Sequence, residues 1–472
     1  MIGTKTEHEA KSKALALMGL LLAALMAVSF LLIATPAYAD DILVVNRTGD
    51  ASDKKINGSC DTSPKKRGQQ CTLRAAIQEA NATIAPDDIR FRIPTNSPGC
   101  DAATDVCTIS PTSALKITEP STINGYTQPG STANTATTGT NAVLKIVING
   151  SKAGTAPGIY VTGSNTTVKG LVVNGFQDTG VILFPDGGQP GGNRLEGSFI
   201  GTDVTGTTAV SNGIGVLASG FATGSNPAES KNEVVGGDTL AARNLISGNT
   251  TAVETFFGRA TLKGNLIGTK SDGITNLGNG FGVRVTGPGS IIEGNTIAHS
   301  GFDGVEVSGD DGTGNRILSN SIFDNGGPFA NNLGIDLLGS NGVTANDTSD
   351  GDTGPNNRQN YPVITDATTA VGLGTTIQGT LNSIPSSVTT QTFTIQFFSS
   401  PTADPSGFGE GKTFLGETQV QTDAIGNASF TFAPTQKVPV GQFITATATN
   451  NATGDTSEFS QANDVDPPEV QP

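Results

Sequence analysis

Tryptophan is absent from the 472-residue sequence, and tyrosine occurs only four times and histidine only twice. Propeller repeats of about 40 residues carry aromatic signatures, so a chain without tryptophan is a poor candidate for a propeller. The sequence also lacks a cysteine nucleophile motif, a nucleophile elbow, a phosphate-binding loop and a His-rich metal motif. His8 lies in a segment expected to be removed, which leaves His299. Few residues are therefore available for catalysis.

Basic residues are scarce as well. Lys and Arg number 27 against 42 Asp and Glu, which gives a formal net charge of −15. Binding to a phosphate backbone or to an anionic membrane surface needs clustered positive charge, so we expect neither partner. Gly, Ser, Thr and Asn dominate the composition as they do in disordered chains, but a regular Ile and Val pattern indicates a folded β-protein.

That pattern is a repeated phrase between Gly158 and Gly339, consisting of glycine, an aliphatic residue, any residue and a second aliphatic residue. The copies are Gly158-Ile159-Tyr160-Val161, Gly180-Val181-Ile182-Leu183, Gly213-Ile214-Gly215-Val216, Ala252-Val253-Glu254-Thr255, Gly282-Val283-Arg284-Val285, Gly304-Val305-Glu306-Val307 and Gly334-Ile335-Asp336-Leu337. They recur at intervals of 22 to 39 residues. An interleaved Asn-x-Ile phrase begins at Asn244, Asn265, Asn295 and Asn320.

Each phrase is a short strand with one buried face, and no interval leaves room for a long helix. Gly and Asn tolerate positive φ, which suits them to sharp corners between strands. The repeat therefore predicts a parallel β-solenoid, with one coil per repeat and like residues stacked on like.

Residues 1–39 are predicted to be a signal peptide. Lys5, Lys11 and Lys13 precede an apolar run from residue 14 to residue 34, and Ala37-Tyr38-Ala39 ends it with small residues at the spacing of a cleavage site. The alternative is a retained membrane anchor, since the run is long enough to span a bilayer. We favour cleavage and expect a secreted or cell-surface protein with no further membrane insertion, acting as a monomer.

Four cysteines, Cys60, Cys71, Cys100 and Cys107, suggest disulfides in an exported chain. Proximity favours pairing Cys60 with Cys71 and Cys100 with Cys107, although four cysteines allow three pairings. A zinc site is disfavoured because no Cys-x-x-Cys pair is present. Residues 71–82 form the one convincing helix, with an apolar stripe suited to covering the first coil of the solenoid.

The helical segment resembles a signature of exported bacterial right-handed parallel β-helix proteins, named for its Cys-Ser-Leu-Arg-Glu-Ala consensus. Thr72 and Ala75 stand where that consensus has Ser and Glu. Further matching phrases span residues 123–130, 199–203 and 360–364, and the resemblance covers residues 42–463. It implies a pectate-lyase-like fold on an exported protein and little about activity.

The predicted organisation is a signal peptide at 1–39, a cap with the first coils at 40–150, the solenoid at 151–360, an immunoglobulin-like β-sandwich at 361–463 and a tail at 464–472. Longer alternating strands separated by turn residues predict the sandwich. Before it, Asp347, Asp350 and Asp352 lie on a Gly-containing loop whose carboxylates suit calcium. The alternative for that loop is a solvated acidic turn.

If the aliphatic residues of the phrase point inward, the residue between them points outward. The predicted outer column is Tyr160, Ile182, Gly215, Glu254, Arg284, Glu306 and Asp336. Arg284, Glu306 and Asp336 are the candidate catalytic residues, and Tyr160, Glu254 and Arg284 are the candidate substrate-binding residues. The alternative is an exposed ladder of ion pairs.

The sequence thus predicts an exported all-β protein that binds extracellular or cell-wall polysaccharide, or mediates adhesion, through the long face of its solenoid. Cleavage of a uronic-acid polymer by a lyase or hydrolase is one alternative, although the Gly-His-Gly and Arg-Ile-Lys motifs of the similar polygalacturonases are absent. A passive stalk is the other. A cleft around Arg284 would favour an enzyme, whereas a flat face would favour binding or a stalk.

Overall fold

The computed structural model describes residues 42–186, 189–220, 232–257, 259–329, 331–337, 342–370, 374–385 and 391–467. The predicted signal peptide and the last five residues of the predicted tail lie outside this part of the chain. Within it the protein is mostly β, with three long parallel sheets followed by antiparallel sheets near the C-terminus. In the part described, no helix is long and apolar enough to cross a membrane.

The three long sheets each take one strand from almost every coil. Sheet 1 contains Ile42–Val45, Asp87–Phe91, Ser121–Asn124, Thr167–Lys169, Arg194–Glu196, Glu233–Gly236, Ala260–Lys263, Ile291–Glu293 and Arg316–Leu318. Sheet 2 contains Cys100–Asp101, Val106–Ile109, Ile146–Asn149, Val172–Asn174, Phe199–Ile200, Leu245–Ile246, Leu266–Ile267, Thr296–Ala298 and Ser321–Phe323. Sheet 3 contains Leu115–Ile117, Ile159–Val161, Thr179–Leu183, Ile214–Ala218, Thr251–Phe256, Phe281–Thr286, Val305–Ser308 and Ile335–Asp336. This stacking is consistent with a β-solenoid.

Apolar residues of successive coils lie on top of one another inside the three sheets. The first aliphatic position of the repeated phrase shows this in sheet 3, where each residue is at most 2% exposed and in register with the next. These residues are Ile159, Val181, Val216, Val253, Val283, Val305 and Ile335. Burial of this kind is the main term that stabilises the stack.

The predicted position of one copy of the phrase, residues 213–216, is wrong. Val216 pairs with Val181, and Leu217 pairs with Ile182, so the copy in this coil is residues 215–218 rather than 213–216. Both Gly213 and Gly215 can start the phrase, and a shift of two residues keeps the same face buried. Pattern alone therefore does not separate the two registers.

The asparagines of the Asn-x-Ile phrase have a different role from the one predicted. The positive φ belongs to the preceding residue, as at Gly264, Gly294 and Ser319. The asparagines themselves are buried and donate to one another across coils, with Nδ2 to Oδ1 distances of 2.9 Å from Asn265 to Asn295 and 3.0 Å from Asn295 to Asn320. They satisfy buried backbone groups at the corners of the coils that carry the phrase, as where Asn265 Nδ2 donates to the Val235 carbonyl at 2.9 Å.

The N-terminal end of the solenoid is covered by the helix Leu73–Ala80, whose first backbone groups are capped by the Thr72 side chain. Leu73 and Ile77 enter the core of the stack, and the helix packs against strands of sheets 1 and 3. Two disulfides hold this region, joining Cys60 with Cys71 and Cys100 with Cys107.

Two antiparallel sheets follow the solenoid. The first contains Val363–Ala370, Gly374–Asn382 and Asn427–Phe432, and the second contains Thr413–Gln421, Thr392–Ser400, Phe443–Asn450 and Asn463–Asp464. They share a core that includes Ile377, Phe393 and Phe397. In the part of the chain that the structure describes, 3-10 turns occur at Gly125–Thr127, Gly150–Lys152, Leu240–Ala242 and Pro355–Arg358.

The antiparallel sheets also close the C-terminal end of the solenoid. Ile322 in the last strand of sheet 2 exchanges two backbone hydrogen bonds with Gly411, at 2.9 and 3.0 Å. Leu337 donates its backbone N–H to Glu458, and Phe398 and Phe459 are part of the solenoid core. Because an open strand edge invites pairing with other chains, this module acts as the cap at that end.

Candidate functional site

The outer column of sheet 3 is organised largely as the sequence predicts. In the structure its members are Lys116, Tyr160, Ile182, Leu217, Glu254, Arg284, Glu306 and Asp336. Leu217 takes the position predicted for Gly215, and Lys116 adds a basic residue before Tyr160. Adjacent coils stack like positions about 4.8 Å apart, so the last four side chains form one continuous group, which we call the charged column.

Arg284 is the centre of the charged column. Its Nη1 lies 3.8 Å from Glu254 Oε1, and its Nη2 lies 3.3 Å from Glu306 Oε1. Its Nε lies 3.3 Å from the second Glu306 oxygen, so the Arg–Glu306 pair is bidentate. Glu254 is 9% exposed and Glu306 8% exposed. Burial raises the pKa of Glu254, an effect that the Arg284 charge partly offsets.

Two further carboxylates, Asp303 and Asp336, lie beside this pair, and Asp303 is as buried as Glu306, each being 8% exposed. Asp336 is 1% exposed, because the C-terminal module covers the last coil. Asp303 accepts a hydrogen bond of 2.6 Å from the Leu333 backbone N–H. Burial raises the pKa of Asp303 to about 6, and the charges of Asp336 and Glu306 add to that effect. A polymer on the sheet face would therefore meet Glu254, Arg284 and Glu306 before Asp336.

Aromatic rings flank the charged column at both ends of the strands. At the start, Phe281 stacks on Phe302 with ring centroids 4.3 Å apart, and the Arg284 guanidinium lies 5.0 Å from the Phe281 centroid. At the other end, Phe256 points outward two residues after Glu254. Phe302 is 46% exposed and Phe256 41% exposed. The repeated phrase does not indicate these rings, although each stands just outside one of its copies.

Tyr160 is not part of this arrangement. Ile182 and Leu217 separate it from Glu254 on the outer column, which corresponds to three coil spacings, or about 14 Å. The Lys116 ammonium lies 5.7 Å from the centroid of its ring. The structure therefore groups Glu254 with Arg284 and leaves Tyr160 at a distance from both.

Asp347, Asp350 and Asp352 come together on the loop that leads from the solenoid into the C-terminal module. One oxygen of each lies within 4.8 Å of the others, and within the described residues they form a group able to hold a metal ion. Asp350 accepts hydrogen bonds from the Asn360 backbone N–H at 2.8 Å and the Ser383 hydroxyl at 2.6 Å. Burial raises the pKa of Asp350 to about 6, and the charges of Asp347 and Asp352 add to it.

The region around the charged column is a sheet face. In the described part of the chain, a cavity of about 360 Å³ lies near the C-terminal end of the solenoid and one of about 510 Å³ lies near its N-terminal end. The first is lined by residues of the last coil and the cap, including Phe323, Asp404 and Lys412. Neither cavity is lined by a member of the charged column.

No family model and no curated protein matches this chain. Among solved structures, ORF18 of Geobacillus virus E2 is similar at 14% sequence identity, over 85% of this chain and 79% of that one, with a TM-score of 0.31. A TM-score this low establishes neither a shared fold nor a shared function.

Proposed function

We propose that this protein binds polysaccharide along the outer face of sheet 3. The observation that carries the proposal is the column of Glu254, Arg284 and Glu306, set between the exposed rings of Phe302 and Phe256. Carboxylate and guanidinium groups hydrogen-bond to hydroxyls, and an aromatic ring offers an apolar face to a sugar ring. The face of sheet 3 extends over eight strands, and this length suits an extended polymer rather than a small molecule.

The proposal includes export and an elongated fold. The predicted signal peptide and the resemblance to exported β-helix proteins support a secreted or cell-surface location. We propose that the coils wind right-handed, as crossovers between parallel strands of one sheet almost always do. The antiparallel sheets, packed face to face over one core, are proposed to be immunoglobulin-like. The protein is proposed to act as a monomer, without a nucleic-acid partner, and adhesion to a cell wall would use the same face.

Retention of the mature chain on insoluble plant, algal and bacterial polysaccharides tests the proposal. We expect retention that weakens in Arg284→Ala and in Phe302→Ala. The matched control is Lys263→Ala, because Lys263 bridges Asp238 and Glu293 on sheet 1 at 2.8 and 3.1 Å. Retention on no polymer would contradict the proposal and leave a passive stalk as the better explanation.

Cleavage of a uronic-acid polymer is the second candidate, and Asp303 is the observation that favours it. Burial raises the pKa of the Asp303 carboxyl to about 6, and this carboxyl next to Glu306 resembles the acid and base pair that glycoside hydrolysis needs. In that mechanism Asp303 would donate a proton and Glu306 would act as nucleophile or base. New reducing ends or unsaturated products that disappear in Glu306→Gln would establish cleavage.

We propose calcium as the ion for Asp347, Asp350 and Asp352. Hard oxygen ligands on a loop suit calcium, and Asp352 Oδ1 is buried without a hydrogen-bond partner. The loop is already tied to the C-terminal module, because Ser349 donates its backbone N–H to Asn382 Oδ1 at 2.8 Å. A bound calcium ion would offset most of the negative charge of the three carboxylates and stiffen the junction between solenoid and cap.

A further inference from the structure

The cavity of about 510 Å³ at the N-terminal end of the solenoid lies just beyond the ends of the first three strands of sheet 1. Val44, Pro94 and Pro129 give it apolar walls, and Arg47 and Arg92 supply positive charge. Among the described residues that line it there is no Asp or Glu, although the chain carries 42 acidic residues. It is therefore a basic cleft on an acidic protein, and we call it the arginine cleft.

The neutral side chains of the arginine cleft are engaged with the backbone around them. Gln128 accepts from the Ile93 backbone N–H and donates to the Ile93 carbonyl, both at 2.9 Å. Asn46 donates to the Gln69 carbonyl at 3.1 Å and accepts from the Cys71 backbone N–H at 3.0 Å. The side-chain donors that remain for a ligand are therefore mainly cationic, and cationic donors select an anion.

Arg92 is the most available of these donors. In the part of the chain that the structure describes, its guanidinium makes no ion pair and donates no hydrogen bond, whereas Arg90, two residues earlier, is paired with Asp88 at 2.7 Å. Arg47 is held in place, because its Nε donates to Gln70 at 2.7 Å and its Nη1 to a backbone carbonyl at 2.8 Å. Its Nη2 is left to join Arg92 in binding a ligand.

We propose that the arginine cleft binds an acidic sugar through its carboxylate or phosphate group. The planar fork of a guanidinium donates two parallel hydrogen bonds to either oxyanion. Small-molecule sites have volumes of about 300–1,000 Å³, so a bare inorganic ion would fill only a small part of this cavity. Its apolar walls, including Val44 at 38% exposure, offer contact to the C–H face of a sugar ring. The sugar body rests on the proposed polysaccharide-binding function, whereas the anionic group rests on the cleft itself.

The arginine cleft is separate from the charged column. The strand of sheet 1 that follows Arg284, Ile291–Glu293, is five positions along the sheet from Ser121–Asn124, which ends beside the cleft. Five coil spacings correspond to about 24 Å, so one sugar cannot contact both sites. Substitutions at the two sites therefore report on two different binding events.

Titration calorimetry of the mature chain with galacturonate, galactose 6-phosphate, galactose and inorganic phosphate tests the inference. We expect both acidic sugars to bind, galactose and phosphate to bind about tenfold more weakly or less, and high salt to weaken binding. Arg92→Ala should reduce the affinity for the acidic sugars by about tenfold or more and leave the melting temperature unchanged. Arg90→Ala is the matched control, because it removes the same charge from a guanidinium already paired with Asp88. Arg284→Ala, on sheet 3, should also leave this affinity unchanged.

The outcomes separate this inference from the proposed function. The tighter of the two acidic sugars would identify carboxylate or phosphate as the preferred group, and either supports the inference. Equal binding of galactose, equal binding of inorganic phosphate, or equal losses in Arg90→Ala and Arg92→Ala would overturn it. A loss in Arg284→Ala as large as that in Arg92→Ala would do the same. Binding of neither acidic sugar, with retention on polysaccharide that still depends on Arg284, would overturn the inference and leave the proposed function intact.

Discussion

The side-chain amide of Asn325 donates to the carboxyl group of Glu410 at 2.8 Å, at the height where a further coil would place another asparagine. The Asn325 backbone N–H also points to Glu410, at 3.2 and 3.3 Å from its two oxygens. The coil below makes the equivalent contact with Asn325, because the Ser300 backbone N–H donates to Asn325 Oδ1 at 3.0 Å. The cap therefore continues the hydrogen-bond ladder of the solenoid with a carboxyl group in place of an amide.

Glu410 should make the protein less stable as pH rises. Burial raises its pKa from 4.5 to about 8, so the folded state holds the proton more tightly than the unfolded chain. The stability contributed by the neutral form is complete below about pH 4.5 and is lost as pH rises through about 8. We expect the free energy of unfolding, measured in denaturant, to fall between about pH 5 and about pH 8.5.

Glu410→Gln replaces the carboxyl group with an amide and removes the titration. The variant should lose less stability than the parent over the same pH range and should be the more stable of the two at the alkaline end. Part of the slope will remain, because burial also raises the pKa of Glu233 to about 8 and that of Glu458 to about 7. Glu293→Gln, at a half-buried site where the carboxylate pairs with Lys263, serves as control. Parallel pH profiles for parent and Glu410→Gln would refute the assignment.

Phe459 should couple the unfolding of the cap to that of the solenoid. Its buried ring packs edge-on against Phe398, with centroids 5.3 Å apart, and belongs to the solenoid core. Phe459→Ala should lower the free energy of unfolding by about 3–5 kcal/mol. Phe302→Ala, on the exposed face, should cost far less. Calorimetry should show one transition in the parent, and two well-separated transitions in it would contradict the coupling.

Asn265 should be a sensitive position in the asparagine ladder. Its side chain donates to the Val235 carbonyl and to Asn295, both at 2.9 Å, and accepts from Asn244 at 2.9 Å. Asn265→Ala leaves these buried groups unpaired, at a cost of about 1–3 kcal/mol for each. We expect the free energy of unfolding, measured in denaturant, to fall by at least this amount. Asn276→Ala, in an exposed turn of the same region, is the comparison, and equal effects would argue against the ladder.

Periodicity carried most of the solenoid prediction, because every coil buries the same alternating aliphatic pattern. The neighbours of Arg284 followed from that pattern, since stacking alone places Glu254 and Glu306 on either side. The pattern does not decide whether the copy in that coil starts at Gly213 or at Gly215, because both satisfy the phrase and the same face stays buried.

The features that sequence reasoning missed depend on contacts between distant segments. Glu410 is buried because it meets Asn325, 85 positions away, and nothing near either residue indicates that pairing. The stack of Phe281 on Phe302 likewise joins two coils through residues outside the repeated phrase. The repeated phrase ends where the C-terminal module begins. It therefore could not predict that this module covers the end of the solenoid.

Calcium should stabilise the junction between solenoid and cap through Asp350. The side chain of Asp350 already accepts from Ser383 of the cap, so an ion bound there would hold both parts together. A ligand that binds only the folded state adds about 2.7 kcal/mol at 100 times its dissociation constant. We expect calcium to raise the melting temperature of the parent, chelator to reverse the rise, and Asp350→Asn to abolish it.

Asp310→Asn, which removes a carboxylate elsewhere, should leave the response to calcium unchanged. Because magnesium prefers a rigid octahedral site and keeps its waters, it should have a smaller effect. A melting temperature unaffected by calcium in the parent would show that these three aspartates form an acidic turn and not a metal site.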